Sequence, residues 1–216
     1  MSVFVTGTDT AAGKTTFVVW LLERLRSRGM QCAGYKPICC GDREDARRLL
    51  EASTCGLTID EVNPCWLKTP AAPLAASLAE DCEIDLEALR EGFVRLEERV
   101  EFVVVEGVGG WMVPITSRYF TNDLATDLDL PVIVVAPNRL GCLNHILLTV
   151  RSVTEAGLSC AGVVLSQLVP AEDVATRTNA ETLARCLTMP ILGRFDPKAV
   201  TIGPEIGQML AQIGGH

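Results

Sequence analysis

Histidine is almost missing from this chain: its 216 residues include only His145 and His216. Nine cysteines are present, yet no two are spaced C-x-x-C. Structural metal sites draw on closely spaced Cys and His pairs, so the sequence argues against one. An odd number of thiols with no paired spacing also argues against a disulfide framework and fits a reducing, cytoplasmic setting. Cys32, Cys82, Cys142, Cys160 and Cys186 lie in or beside apolar runs and read as small buried hydrophobes. Basic residues are scarce too: 19 Lys and Arg stand against 27 Asp and Glu, a net charge of −8. Nucleic-acid surfaces need a basic stripe, so nucleic acid is not an expected partner. No apolar run approaches the ~20 residues of a membrane span. The first residues lack the basic segment and small-residue cleavage site of a secretory signal. Repeats and low-complexity linkers are absent as well. With 48% apolar and 21% charged residues, the expectation is a single globular domain over residues 1–216.

The most informative stretch is the first sixteen residues. An apolar run, Val3 to Val5, ends in a loop of small residues, Gly7-Thr8-Asp9-Thr10-Ala11-Ala12-Gly13. Lys14-Thr15-Thr16 then opens a helix-like stretch from Phe17 to Leu22. Strand, small-residue loop and helix in that order make a phosphate-binding loop. Successive backbone N–H groups must curl around phosphate oxygens, which excludes bulky side chains, and the free N–H groups of the helix start favour the anion further. Lys14 can reach the outer phosphates, and the Thr15 hydroxyl is placed to ligate Mg²⁺. The spacing departs from G-x-x-x-x-G-K-[ST]: Thr8 occupies the first glycine position and Gly7 precedes it.

The remaining chain alternates strand and helix. Gly29 is a plausible helix C-cap, and residues 31–38 read as a strand ending near Lys36. A lysine there is at the sheet edge where open α/β folds bind ligands. A short helix follows over 46–52, capped by Asp42 or Arg43, and Asp45 in its first turn reads as a macrodipole partner. The proline-punctuated residues 53–84 fit an ordered surface segment, with no central strand. Residues 85–99 carry apolar residues at helical spacing. Phe102-Val103-Val104-Val105 suits a strand buried on both faces. Glu106 at its end would complete a Mg²⁺ shell, and the glycine loop Gly107-Val108-Gly109-Gly110 follows it. Further strands are expected at 130–136, 159–167 and 190–193, and helices at 122–127, 138–156, 173–187 and 204–213. The helix start at Asn138–His145 could hold a carboxylate or phosphate; His145 itself reads as packed or hydrogen-bonded. The alternation predicts an α/β fold of the P-loop NTPase type, a mostly parallel central sheet with helices on both faces.

Six segments together go further. Residues 7–15, Gly34-Tyr35-Lys36-Pro37, Val62-Asn63-Pro64, Val105-Glu106-Gly107-Val108-Gly109-Gly110-Trp111, residues 130–135 and Leu140-Gly141-Cys142-Leu143-Asn144-His145 resemble the dethiobiotin synthetases, in that family's order, across about residues 1–193. The early glycine is also similar to that family's loop. The resemblance implies an ATP- and Mg²⁺-dependent ligase of biotin synthesis. It takes 7,8-diaminononanoate and CO₂ to dethiobiotin through a carbamate and a carbamic-phosphoric anhydride. It implies that Lys36 is the active-site lysine and acts with Lys14. Ala11, Ala12, Gly13, Lys14, Thr15, Thr16, Glu106, Gly107, Val108 and Gly109 would hold the nucleotide. Thr15, Asp45 and Glu106 would hold Mg²⁺. Thr10 and Cys40 would flank the diamine, and the helix start from Gly141 to Asn144 would receive its carboxylate. The family also implies a homodimer with substrate near the subunit interface, Asn179 being a candidate to reach across.

Two departures stand out. Cys40 replaces a serine, and a thiol is the poorer donor. Ser166-Gln167 stands where the family has an Asn that reads adenine, and the segment Phe195-Asp196-Pro197 differs as well. Weak base discrimination follows: kcat/KM for ATP, GTP and CTP is expected to differ by less than ~100-fold. Two rival readings share the phosphate loop. Another P-loop amide-forming ligase would need a glutamine-hydrolysing domain for which there is no room. A partition-type switch ATPase would need an early loop lysine and a basic or amphipathic surface, which residues 7–13 and the acidic chain do not supply.

Overall fold

A computed structural model describes residues 2–167, 173–195 and 201–202. In chain order the elements are β1 (Ser2–Gly7), α1 (Lys14–Ser27), β2 (Cys32–Tyr35), β3 (Ile38–Cys40), α2 (Glu44–Ala52), α3 (Ile59–Val62), β4 (Cys65–Leu67), α4 (Pro73–Ala79) and α5 (Leu86–Glu97). Then come β5 (Phe102–Gly110), α6 (Thr121–Asp127), β6 (Val132–Pro137), α7 (Cys142–Glu155), β7 (Cys160–Ser166), α8 (Val174–Cys186), β8 (Ile191–Phe195) and β9 (Thr201–Ile202). The main sheet runs β2-β5-β1-β6-β7-β8-β9, with only β9 antiparallel to its neighbour. The expected α/β fold with a mostly parallel sheet is therefore present. Asp196, Pro197 and the expected helix over 204–213 lie outside the described residues.

Alternation along the central strand sorts the core. Val3 and Val5 face the layer containing Phe17, Val18, Leu21 and Leu22 of α1. Phe4 faces the opposite layer with Phe93, Leu124 and Ile146, from α5, α6 and α7. Both layers are fully withdrawn from water, which is why β1, β5 and β6 read as unbroken apolar runs rather than alternating ones. At roughly 1.5–3 kcal/mol for each fully buried Val, Leu or Phe, this burial is what anchors the rim residues.

Three local expectations change. The strand expected over 31–38 breaks in two. Its ladder with β5 ends at Tyr35, because the Lys36 N–H turns to the Val62 carbonyl at 2.8 Å and Pro37 has no N–H. Beyond the break, β3 pairs with β4 in a separate two-stranded sheet. With α3 and α4, β4 occupies the supposedly irregular 53–84. Their lengths of four, three and seven residues are too short for periodicity to reveal. Lastly, β5 continues through Glu106 and the glycines to Gly110. All nine cysteines are free thiols. Cys32 and Cys142 are buried, but Cys82 and Cys186 are exposed, contrary to the expectation from their apolar neighbours.

Candidate active site

The parallel register assembles the site. Val5 of β1 is opposite Glu106 of β5, and Tyr35 of β2 is opposite Val105. Lys36, one residue past Tyr35, therefore emerges beside Glu106, and the loop after Gly7 emerges on Glu106's other side. This is the carboxyl edge of the parallel sheet, where open α/β folds bind ligands.

The loop explains its own unusual spacing. A Cβ on Gly7 would lie 2.8 Å from the Asp9 carbonyl oxygen and 3.1 Å from Lys14 Nζ. Gly7 thus meets the close-approach requirement that the first glycine usually meets, and Thr8 is free to carry a side chain. Gly13 has φ 93°, a left-handed conformation that favours glycine, and it delivers the chain into α1.

The charged centre lies beneath this loop. Glu106 Oε1 accepts from Lys36 Nζ at 2.5 Å and from Thr15 Oγ1 at 2.8 Å. Lys36 also reaches Asp45 Oδ2 at 3.3 Å and the Gly107 carbonyl at 3.4 Å. Glu106 is 0% exposed and Lys36 3%. Burial alone would lower the Lys36 pKa, but the adjacent Glu106 carboxylate, followed by Asp45, outweighs it and holds the ammonium charged. Asp45 feels an opposing burial effect, and Lys36 with the Thr15 hydroxyl still keeps its carboxyl below the usual range. So Asp45 faces the site, not merely its own helix N-terminus. Lys14 is pulled down to about 8 by burial, then by the charge of Lys36. Among the described residues its side-chain bond, to the Asp9 carbonyl, is long at 3.4 Å.

These groups line a cavity of about 620 Å³. Thr10, Ala11, Ala12, Gly13, Lys14, Thr15, Thr16, Lys36, Cys40, Asp45, Glu106, Val108 and Gly109 are all on its wall. Gly107 is not: it faces Phe4 and Thr121, where a Cβ would come within 3.0 and 3.1 Å. Cys40 is a protonated thiol, pushed up to about 11 by burial. Ser166 and Gln167 sit two strands away along the same edge, where Gln167 accepts from Asn138 Nδ2 at 2.9 Å. Ser166 Oγ is buried with no partner among the described residues. Gly141 and Asn144, at the start of α7, are exposed and off the cavity wall. His145 is exposed too, contrary to expectation. Asn179 cannot reach a second subunit: it is 3% exposed and donates to Asn138 Oδ1 at 2.9 Å.

Among the described residues no three His, Cys, Asp or Glu side chains cluster as a metal cage. Mg²⁺ bound with a polyphosphate needs less, an oxygen set of one or two carboxylates and a hydroxyl. Thr15, Asp45 and Glu106 supply that set. Among the described residues Glu106 Oε2 is buried without a partner, a carboxylate oxygen left open inside the site. The residues present fit the ion.

Sequence reading overlooked the clamp behind Lys36. Asn63 is fully buried. Its Nδ2 donates to the Lys36 carbonyl at 2.8 Å and the Cys65 carbonyl at 2.9 Å. Its Oδ1 accepts from Arg43 Nε at 2.9 Å. Together with the Lys36 N–H bond to Val62, this holds both backbone groups of Lys36. Asn63 is next to a proline, and nothing in a single sequence separates a turn asparagine from a buried one. Asn63→Ala leaves several groups unpaired, so urea unfolding is expected to report a loss of about 2–3 kcal/mol. The kcat of the folded variant is expected to fall up to ~100-fold as Lys36 shifts.

Comparison with known proteins places this geometry. A family model described as an AAA domain matches residues 1–205. The ATP-dependent dethiobiotin synthetase BioD of Akkermansia muciniphila is 42% identical over 88% of this chain and 90% of its own. That of Aromatoleum aromaticum is 41% identical, covering 88% of each. Among solved structures, the septum site-determining protein MinD of Pyrococcus horikoshii, complexed with Mg-ADP, has a TM-score of 0.59 at 14% identity, covering 99% of this chain and 86% of that one. A plasmid partition protein of Borrelia burgdorferi has a TM-score of 0.56 at 10% identity, covering 98% of each chain. The structural likenesses establish the P-loop NTPase fold and no more. With relatives this similar over nearly the whole length, the chain belongs to the ATP-dependent dethiobiotin synthetase family.

Proposed function

We propose that the chain is a dethiobiotin synthetase, an ATP-dependent ligase of biotin synthesis closing a cyclic urea on 7,8-diaminononanoate with CO₂. The observation that carries the site reading is the buried Lys36–Glu106–Thr15 cluster against the phosphate loop. In this reading one amine of the diamine adds to CO₂ and loses a proton, forming a carbamate. A carbamate oxygen attacks the terminal phosphorus, and the bond to the bridging oxygen breaks to release ADP. The second amine attacks the carbamoyl carbon, phosphate leaves with its oxygen, and a proton is lost as the ring closes.

Two anions must meet for this to happen. Lys14 and the loop N–H groups would hold the triphosphate. Lys36 is the ammonium able to turn from its carboxylates to the reacting oxygens, where it stabilises charge formed in phosphoryl transfer. Mg²⁺ on Thr15, Asp45 and Glu106 would neutralise phosphate charge. Thr10 and the protonated Cys40 thiol would flank the diamine. Ser166 and Gln167 would meet the base.

A homodimer completes the reading. Gly141 and Asn144 lie off their own cavity, so the substrate carboxylate would be taken by a second copy's α7 start. A second cavity of about 350 Å³ shares Thr10 and Val113 with the first. Beside it Met112 is 55% exposed and Leu148 60%, an apolar surface suited to that copy. No described helix is long and apolar enough to cross a membrane, and nine free thiols suit a reducing cytoplasm.

Phosphate release from ATP with diaminononanoate and bicarbonate, each omitted in turn, tests the assignment. Dependence on both is expected, with a solution mass of two chains. Hydrolysis indifferent to both would instead favour a switch ATPase. A pH effect follows from Lys14. Its folded value is depressed to about 8, so the ammonium is present below that pH and lost above it. Phosphate favours the charged form, so nucleotide binding takes up a proton above about pH 8. Affinity is expected to fall towards tenfold per pH unit there, measured by calorimetry, and Lys14→Met should flatten that slope.

A further inference from the structure

Arg48 has no assigned role and an unusual situation. It lies on α2 three residues after Asp45, so the two share a helix face, and both line the cavity. The opposite face of α2, Ala46, Leu49 and Ala52, is buried in the layer that contains α1. Arg48 is half-buried. Neighbouring arginines are engaged: Arg43 bonds Asn63 and Asp60, and Arg47 pairs with Glu44 at 3.7 Å. Arg48, by contrast, has neither an ion pair nor a hydrogen bond among the described residues. A guanidinium partly withdrawn from water gains nothing from this position unless an anion comes to it.

The cavity indicates which anion. Lys36 is held between two carboxylates, Glu106 and Asp45. Among the described residues on the wall, Lys14 and Arg48 are the cations with no carboxylate partner. The helix carrying Arg48 packs on α1, whose first turn supplies Thr15 and Thr16 to the same wall. Thr10 and Cys40, proposed to flank the diamine, belong to other segments of the wall. Side chains on a helix lean towards its N-terminus, which for α2 is the Asp45 end, beside Lys36. A planar fork of N–H donors matches two oxygens of one phosphate.

We propose that Arg48 is a further nucleotide-binding residue, closing on the triphosphate from the α2 side opposite the phosphate loop. This rests on the nucleotide reading above and adds a ligand to it. The test is calorimetric titration of a non-hydrolysable ATP analogue with Mg²⁺, without diamine, into the full chain and its Arg48→Ala and Arg48→Lys variants. Steady-state KM for the diamine and thermal unfolding are measured alongside. Arg48→Ala is expected to weaken the analogue ~10- to 100-fold. Arg48→Lys should recover part of that, keeping charge without the fork. Diamine KM should stay within about twofold and the unfolding temperature should be unchanged. Analogue affinity within about twofold of the parent would overturn the proposal, as would a loss confined to diamine KM, which would assign Arg48 to the substrate carboxylate. A parent protein that bound no analogue would remove the nucleotide reading itself, and this inference with it.

Discussion

Lys36→Met is expected to lower dethiobiotin formation at least ~100- to 1000-fold. The ammonium is buried at the meeting point of β2 and β5, and no second cation stands where it stands. The change also strips the partner from Glu106, which is 0% exposed. Removing one member of a buried pair costs about 3–5 kcal/mol, whereas replacing both with neutral groups of similar volume is close to neutral. Lost turnover could therefore be confused with lost fold. The double variant Lys36→Met/Glu106→Gln separates them. Its midpoint in urea is expected to return most of the way to the parent's while product formation stays undetectable. A stable single variant with more than a tenth of parental turnover would show that Lys36 does not serve the chemistry.

Glu106→Gln should have the next largest effect, and a different signature. The amide nearly preserves shape and still offers an oxygen to Thr15 and Lys36. It removes the negative charge whose second oxygen is open within the site. A neutral amide is a poor ligand for a hard dication. Turnover is expected to fall ~100-fold or more at ordinary Mg²⁺ and to recover partly as Mg²⁺ rises into the tens of millimolar. Nucleotide binding without the ion should hardly change. Titrating Mg²⁺ against phosphate release separates a lost ligand from a lost general effect: an unshifted Mg²⁺ dependence would take Glu106 out of the metal shell.

Fold alone would have pointed elsewhere. The MinD and partition-protein likenesses cover almost the whole chain, and one fold can host unrelated functions. What separates this chain from them is sequence: 10–14% identity to those structures against 41–42% to the dethiobiotin synthetases.

The strand–helix alternation of the main sheet, the phosphate loop and the placing of a lysine and a glutamate at strand ends were legible in the sequence. They depend on local rules: apolar runs, small residues where backbone must approach an anion, a cation after a strand. The break between β2 and β3 was not legible, because it is enforced by a hydrogen bond from Lys36 to Val62, 26 positions along the chain. Nor were the Asn63 clamp, the burial of Asn179 against Asn138, or the exposure of Cys82 and Asn144. Each is a partnership between residues distant in the chain, and only the folded sheet decides which polar group meets which. The sequence could name the candidate groups; the tertiary register brought Glu106 and Asp45 within bonding distance of Lys36, and left Arg48 on the cavity wall with no carboxylate partner among the described residues.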